Sequence, residues 1–168
     1  METGHRKTTR LGVIADTHGF LRPQVIEVLR GADRILHAGD VGKPEILERL
    51  RSLAPVSAVR GNVDVEAWSA ALPQTEVIQI PGHDLYMLHN LDELDLDPAA
   101  AGFAAVIYGH SHRPAVEWNG GVLYLNPGSC GPRRFSLPIS LAILNASEQG
   151  LDVELIELGD SDEREAGN

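Results

Sequence analysis

Three times within its first 62 residues this chain runs apolar for a strand's length and then stops at a side chain that can bind a metal. RLGVIA (10–15) ends at Asp16-Thr17-His18, RILHAG (34–39) at Asp40, and APVSAV (54–59) leads to Arg60-Gly61-Asn62. The segments between them open on a proline and carry apolar residues at helical spacing. One is Pro23 with Val25, Ile26, Val28 and Leu29; the other is Pro44 with Ile46, Leu47 and Leu50. Proline suits a first helical turn, where its missing N–H would have had no partner. Short strands alternating with such helices predict βαβ units around a parallel sheet.

The second half reads differently. EVIQI and HDLYMLHN flank Pro81-Gly82, and AVEW and GVLYLN flank Asn119-Gly120, both hairpin signals. Between them lie a helix expected near 94–101 and a buried strand, AAVIYGH. SLAILNA and LDVELIEL close the chain as strands around a turn at 148–150. With no repeat or linker, the expectation is one α/β domain over residues 1–168. Its core spans about 10–158, after a polar lead-in to Thr9 and before an acidic tail.

Metal-capable side chains collect at these strand ends. Asp16 and His18 follow the first strand, Asp40 the second and Asn62 the third, while His89 ends a hairpin strand and His110 and His112 follow AAVIYG. Open α/β sheets bind ligands outside the carboxyl ends of their strands, so seven donors from five strand ends can converge. Gly39, Gly61 and Gly109 stand beside donors and permit close backbone approach. Imidazole and carboxylate without thiolate suit manganese, iron, zinc, nickel or cobalt. Seven donors exceed the needs of one ion but suit two ions sharing a carboxylate. Two ions ~3.5–4 Å apart can clamp the attacking and leaving oxygens of a displacement at phosphorus.

The net charge of −10 argues against an extended nucleic-acid surface or an anionic membrane as partner. No stretch approaches the ~20 apolar residues of a membrane span. Cys130 is the only cysteine, which excludes an internal disulfide and fits a reducing, cytoplasmic compartment.

Asp16-Thr17-His18, Gly39-Asp40, Gly61-Asn62, His89 and Gly109-His110-Ser111-His112, in that order, resemble the calcineurin-like metallophosphoesterase superfamily. The chain's size and Asn126-Pro127-Gly128-Ser129 resemble its small bacterial and archaeal phosphodiesterase branch. That resemblance implies an α/β fold of two facing mixed β-sheets flanked by helices, an αββα sandwich with metals at one edge. It implies one ion on Asp16, His18, Asp40 and His112, and a second on Asp40, Asn62, His89 and His110, with Asp40 bridging. The implied activity is a dimetal-dependent phosphoesterase, foremost a phosphodiesterase, using in-line attack by a metal-bridging hydroxide. Asp40, Asn62 and His110 are its expected catalytic residues. Manganese is the first expectation for both ions, with nickel, iron, zinc, cobalt or magnesium as alternatives. The expected partner is a small phosphate ester; the oligomeric state is open, a homodimer included. Rival readings are a phosphomonoesterase or nucleotide phosphatase with the same site, and a non-catalytic protein-binding scaffold such as the retromer subunit of similar architecture.

Two positions depart from the family pattern. Val63 stands where many relatives carry a histidine that assists the leaving group, and Asn90 follows His89 where glycine is usual. Elsewhere, Asp64 reads either as a ligand-orienting carboxylate or as a surface turn. Arg133 and Arg134 read as solvated or as steering an anion. Cys130, Trp68 and Trp118 read as packing residues, His37 as packed or as supporting a ligand rather than being one, His83 as a turn residue and His5 as part of the tail.

Overall fold

The computed structural model describes residues 7–159. His5 and the acidic run from Asp160 lie outside the described residues.

The βαβ expectation holds for the first 60 residues. β1 (Thr9–Ile14), β2 (Arg34–His37) and β3 (Val56–Ala58) are parallel neighbours, joined by α1 (Pro23–Leu29) and α2 (Pro44–Arg51). Each helix begins at its proline, and Gly31, at φ +83°, follows the end of α1. β4 (Thr75–Ile80) and β5 (His83–Leu88) form the first hairpin. β6 (Ala105–Ile107), β7 (Ala115–Asn119), β8 (Val122–Asn126), β9 (Ile139–Ser147) and β10 (Gly150–Leu158) follow.

These strands make two mixed sheets of five, ordered β10-β9-β1-β2-β3 and β4-β5-β6-β8-β7. The two sheets share a core. Leu11, Val13, Ala15, Leu36, Ala38 and Val59 of the first cluster with Ile78, Leu85, Met87, Ile107, Leu123 and Leu125 of the second. Strand side chains alternate in direction, so Ile14 and Ile35 instead join Val25, Leu29, Ile46, Leu47 and Leu50 under the helices. Each buried aliphatic side chain contributes roughly 1.5–3 kcal/mol, so these two clusters hold the short strands in place.

Two expectations need correction. No helix forms over 94–101. A single 3-10 turn at Leu91–Glu93 is followed by bends, and Leu94, Leu96 and Phe103 cover Tyr86, Leu88 and Val106 without one. Asn90 Oδ1 accepts from Asp92 N, and Asp97 Oδ1 caps Ala99 N and Ala100 N as at a helix start, but Gly102, at φ +83°, ends the segment after one turn. Trp118, read as packing, is instead 56% exposed on the edge strand β7.

Candidate metal centre

All seven sequence-selected donors meet at one rim of the sandwich. Asp16, His18 and His112 form one triad, and Asp40, His89 and His110 a second, with candidate ligand atoms of each within 4.8 Å of one another. Asn62 joins the second: its Oδ1 lies 3.0 Å from both His89 Nε2 and His110 Nδ1. Asp40 Oδ2 stands between the groups, 3.2 Å from His89 Nε2 and 3.7 Å from His18 Nε2. The first sheet supplies Asp16, His18, Asp40 and Asn62; the second supplies the other three histidines.

Divalent cations fit these residues. Nε2 of His18 and Nε2 of His112 face each other at 3.3 Å. Two nitrogens each about 2.1 Å from one ion lie roughly that far apart. His89 Nδ1 lies 2.7 Å from the Ala38 carbonyl and can only donate to it, which turns the Nε2 lone pair inward. Asp16 Oδ1 is buried and accepts no hydrogen bond among the described residues, although His112 Nε2 lies 3.6 Å away. A buried carboxylate oxygen without a partner is costly unless a cation satisfies it.

Charge balance agrees. Burial pushes the Asp16 carboxyl up to about 7. Burial also pushes Asp40 upward, but the His89 hydrogen bond, the Val63 N–H and nearby histidines outweigh it and hold Asp40 at about 2. Burial lowers His18, and lowers His112 to about 4, keeping both neutral and able to donate a lone pair at pH 7. Burial opposes charge on His89, yet the neighbouring Asp40 carboxylate raises its pKa overall.

The surrounding residues fix this geometry. Asp64 is buried and no surface turn: its carboxylate accepts from Val41 N, Gly42 N and Gly61 N, tying the Asp40 and Asn62 loops together. His37 packs as expected, against Thr17 and Gly39 N. Asp40 does not cap α2, whose N-cap is Lys43. Asn126 Nδ2 donates to Gly109 O and Ser111 Oγ, and Ser129 Oγ donates to Asp16 O. The roles of Asn126 and Ser129 were not legible beyond their family resemblance. Arg22 escaped the sequence reading altogether, because an arginine before a helix ordinarily reads as solvated. It is fully buried.

A Cβ at Gly61 would overlap Asp40 Oδ1 and Asp40 N. Gly61→Ala is expected to displace Asp40 and cost about 100-fold in kcat, since small misplacements carry penalties of that order. Metal content and kcat, measured together on folded protein, check this.

A double sheet that gathers two sets of cation donors along one rim defines a class of metal-binding protein. The chain belongs to the calcineurin-like phosphoesterase superfamily, whose domain profile matches residues 9–149. It is 31% identical over 161 residues to a probable metallophosphoesterase of Methanothermobacter thermautotrophicus, covering 89% of this chain and 92% of that one. It is 28% identical over 166 residues to phosphodiesterase YfcE of Escherichia coli K12, covering 81% and 87%. Its fold matches vacuolar protein sorting 29 of Cryptosporidium parvum with a TM-score of 0.72 at 19% identity, covering 91% and 99%.

Proposed function

We propose that this chain hydrolyses a phosphodiester, with two divalent ions held by the seven donors and shared through Asp40. The supporting observation is the double triad joined by one carboxylate, with Asn62 and His110 on its solvent side. When bound, such ions neutralise phosphoryl charge and make water acidic enough to ionise near neutral pH. The protein's own residues do the rest. Asp16, Asp40, Asn62, His89, His110 and the neutral imidazoles of His18 and His112 supply the donor set. Ala38 and Asp64 keep His89 and the two loops in register. Asn62 and His110, both exposed, are available to touch the substrate. Manganese as the native ion and a cytoplasmic setting belong to the same proposal. No helix among the described residues is long and apolar enough to cross a membrane.

Val63 has no proton to give a departing alkoxide. General-acid help is worth ~10²–10⁴-fold, so the enzyme is expected to turn over aryl phosphodiesters at least ~100-fold faster than alkyl ones. A flat aryl/alkyl ratio would remove this account of Val63. Parallel assays on mono- and diesters, after reconstitution with each common divalent metal, test the activity itself. Faster monoester turnover would make the chain a phosphomonoesterase. Inactivity with every metal would favour the scaffold reading that the vacuolar sorting fold invites.

A further inference from the structure

A cavity of about 150 Å³ opens directly onto the second group of donors, and Asn62 and His89 form part of its wall. Its other lining side chains are Arg60, Gln74, Asn90 and Glu93, with no aliphatic residue among them. Asn90, which stands where glycine is usual, therefore adds an amide to the edge of the site.

The fold holds both sides of this cavity. Arg60 N donates to Pro73 O at 2.8 Å, which keeps the Asn62 loop beside Gln74. Across from the backbone of that loop, Asn90 Oδ1 accepts from Asp92 N at 3.0 Å and Asn90 O accepts from Glu93 N at 3.0 Å. These bonds close the 3-10 turn Leu91–Glu93, and Leu91 and Leu94 root it against Tyr86 and Leu88. Walls fixed in advance lower the ordering cost of binding.

The polar groups of the lining are uncommitted. Half-buried Arg60 makes no ion pair and no side-chain hydrogen bond among the described residues, and the Gln74 and Glu93 side chains make none either. Asn90 spends its Oδ1 on the turn and keeps both Nδ2 protons. Arg60 and Glu93 cancel in charge, so the cavity suits a neutral guest. Arg60 and Asn90 can only donate there, Glu93 can only accept, and Gln74 does both. Hydroxyl groups, which donate and accept, match that set. At ~30 Å³ for each water-sized unit, the space takes about five non-hydrogen atoms.

We propose that this cavity is a subsite for a short hydroxyl-bearing substituent of the phosphate ester, the size of a dihydroxypropyl group. Glu93 and Gln74 accept from its hydroxyls, and Arg60 and Asn90 donate to them. The subsite rests on the phosphoesterase reading, which seats the phosphoryl group beside Asn62 and His89, and it adds the substituent class.

The test is calorimetric binding of methyl phosphate, propyl phosphate and α-glycerol phosphate to the manganese-loaded chain. Propyl phosphate offers the same carbon skeleton without the hydroxyls. Wild type is expected to bind α-glycerol phosphate about tenfold more tightly than propyl phosphate, the worth of one or two net hydrogen bonds. Glu93→Ala, at an exposed position, should cut that ratio about threefold or more, and adding Gln74→Ala should bring it to unity. Propyl phosphate binding as tightly as α-glycerol phosphate overturns the inference. So does a ratio that survives the double variant, or an equal loss for all three ligands. Binding needs no turnover: discrimination without diester hydrolysis would sink the proposed activity and leave the subsite standing, and hydrolysis without discrimination would do the reverse.

Discussion

Asp40→Asn is expected to remove both the proposed metal binding and the proposed diester turnover. The substitution keeps the shape of the side chain and leaves Oδ1 able to accept from Val63 N, as Asp40 does at 3.0 Å. What disappears is the negative charge 3.2 Å from His89 and 3.7 Å from His18, where the proposed ions meet. The fold should survive, because the clusters that hold it lie between and beneath the sheets. The expected result is fewer than two ions per chain and a fall in kcat of about 10³-fold or more, on the scale of electrostatic catalytic contributions. Elemental stoichiometry and diester turnover, read on the same sample, decide the matter. Full activity with two bound ions would end the bridging role.

Asp16→Asn should make the metal-free protein harder to melt at pH 8 and at the same time nearly deaf to added manganese. Burial raises the Asp16 carboxyl from 3.8 to about 7, so folding favours its protonated form. That contribution is complete below pH 3.8 and is lost as pH rises through 7; the whole shift is equivalent to about 4 kcal/mol. Asparagine removes the ionisation, and its advantage in Tm at pH 8 is expected to be on the order of 10 °C. The advantage should shrink as pH falls from 7 and be gone by about pH 4. His37 works in the opposite direction: burial lowers it from 6.5 to about 4, so its contribution is present above 6.5 and lost as pH falls through 4. Variant and wild type share that acid loss, so their difference isolates Asp16. Manganese should restore wild type through binding to the native state and do little for the variant. Melting curves from pH 4 to 8, with and without manganese, measure both effects; an advantage that did not shrink on acidification would refute the assignment.

Much of this site is legible in the sequence. Donors at strand ends are conspicuous because an apolar run must stop where the chain leaves the core, and Gly39, Gly61 and Gly109 mark where it passes close to a neighbour. The parallel β1-β2-β3 unit followed from the same alternation. The facing of the sheets did not. β9 pairs antiparallel with β1 across more than a hundred intervening residues, and no local pattern encodes that register. The helix expected near 94–101 stops at a single turn: Asp97 accepts from Ala99 N and Ala100 N as a helix N-cap would, but Gly102, at φ +83°, turns the chain away before a second turn can form. Arg22 was invisible for another reason: its burial goes with a distant partner, the Gly131 carbonyl.

The candidate donors come from both halves of the sandwich, three histidines facing four residues of the opposite sheet. A cation seated there acts as a rivet through the seam. With an ion bound, prying the sheets apart at that rim would mean pulling nitrogen and oxygen from it, so loading the centre would fasten an edge whose strands β3 and β6 are only three residues long. In such a molecule the catalytic cofactor would double as the clasp.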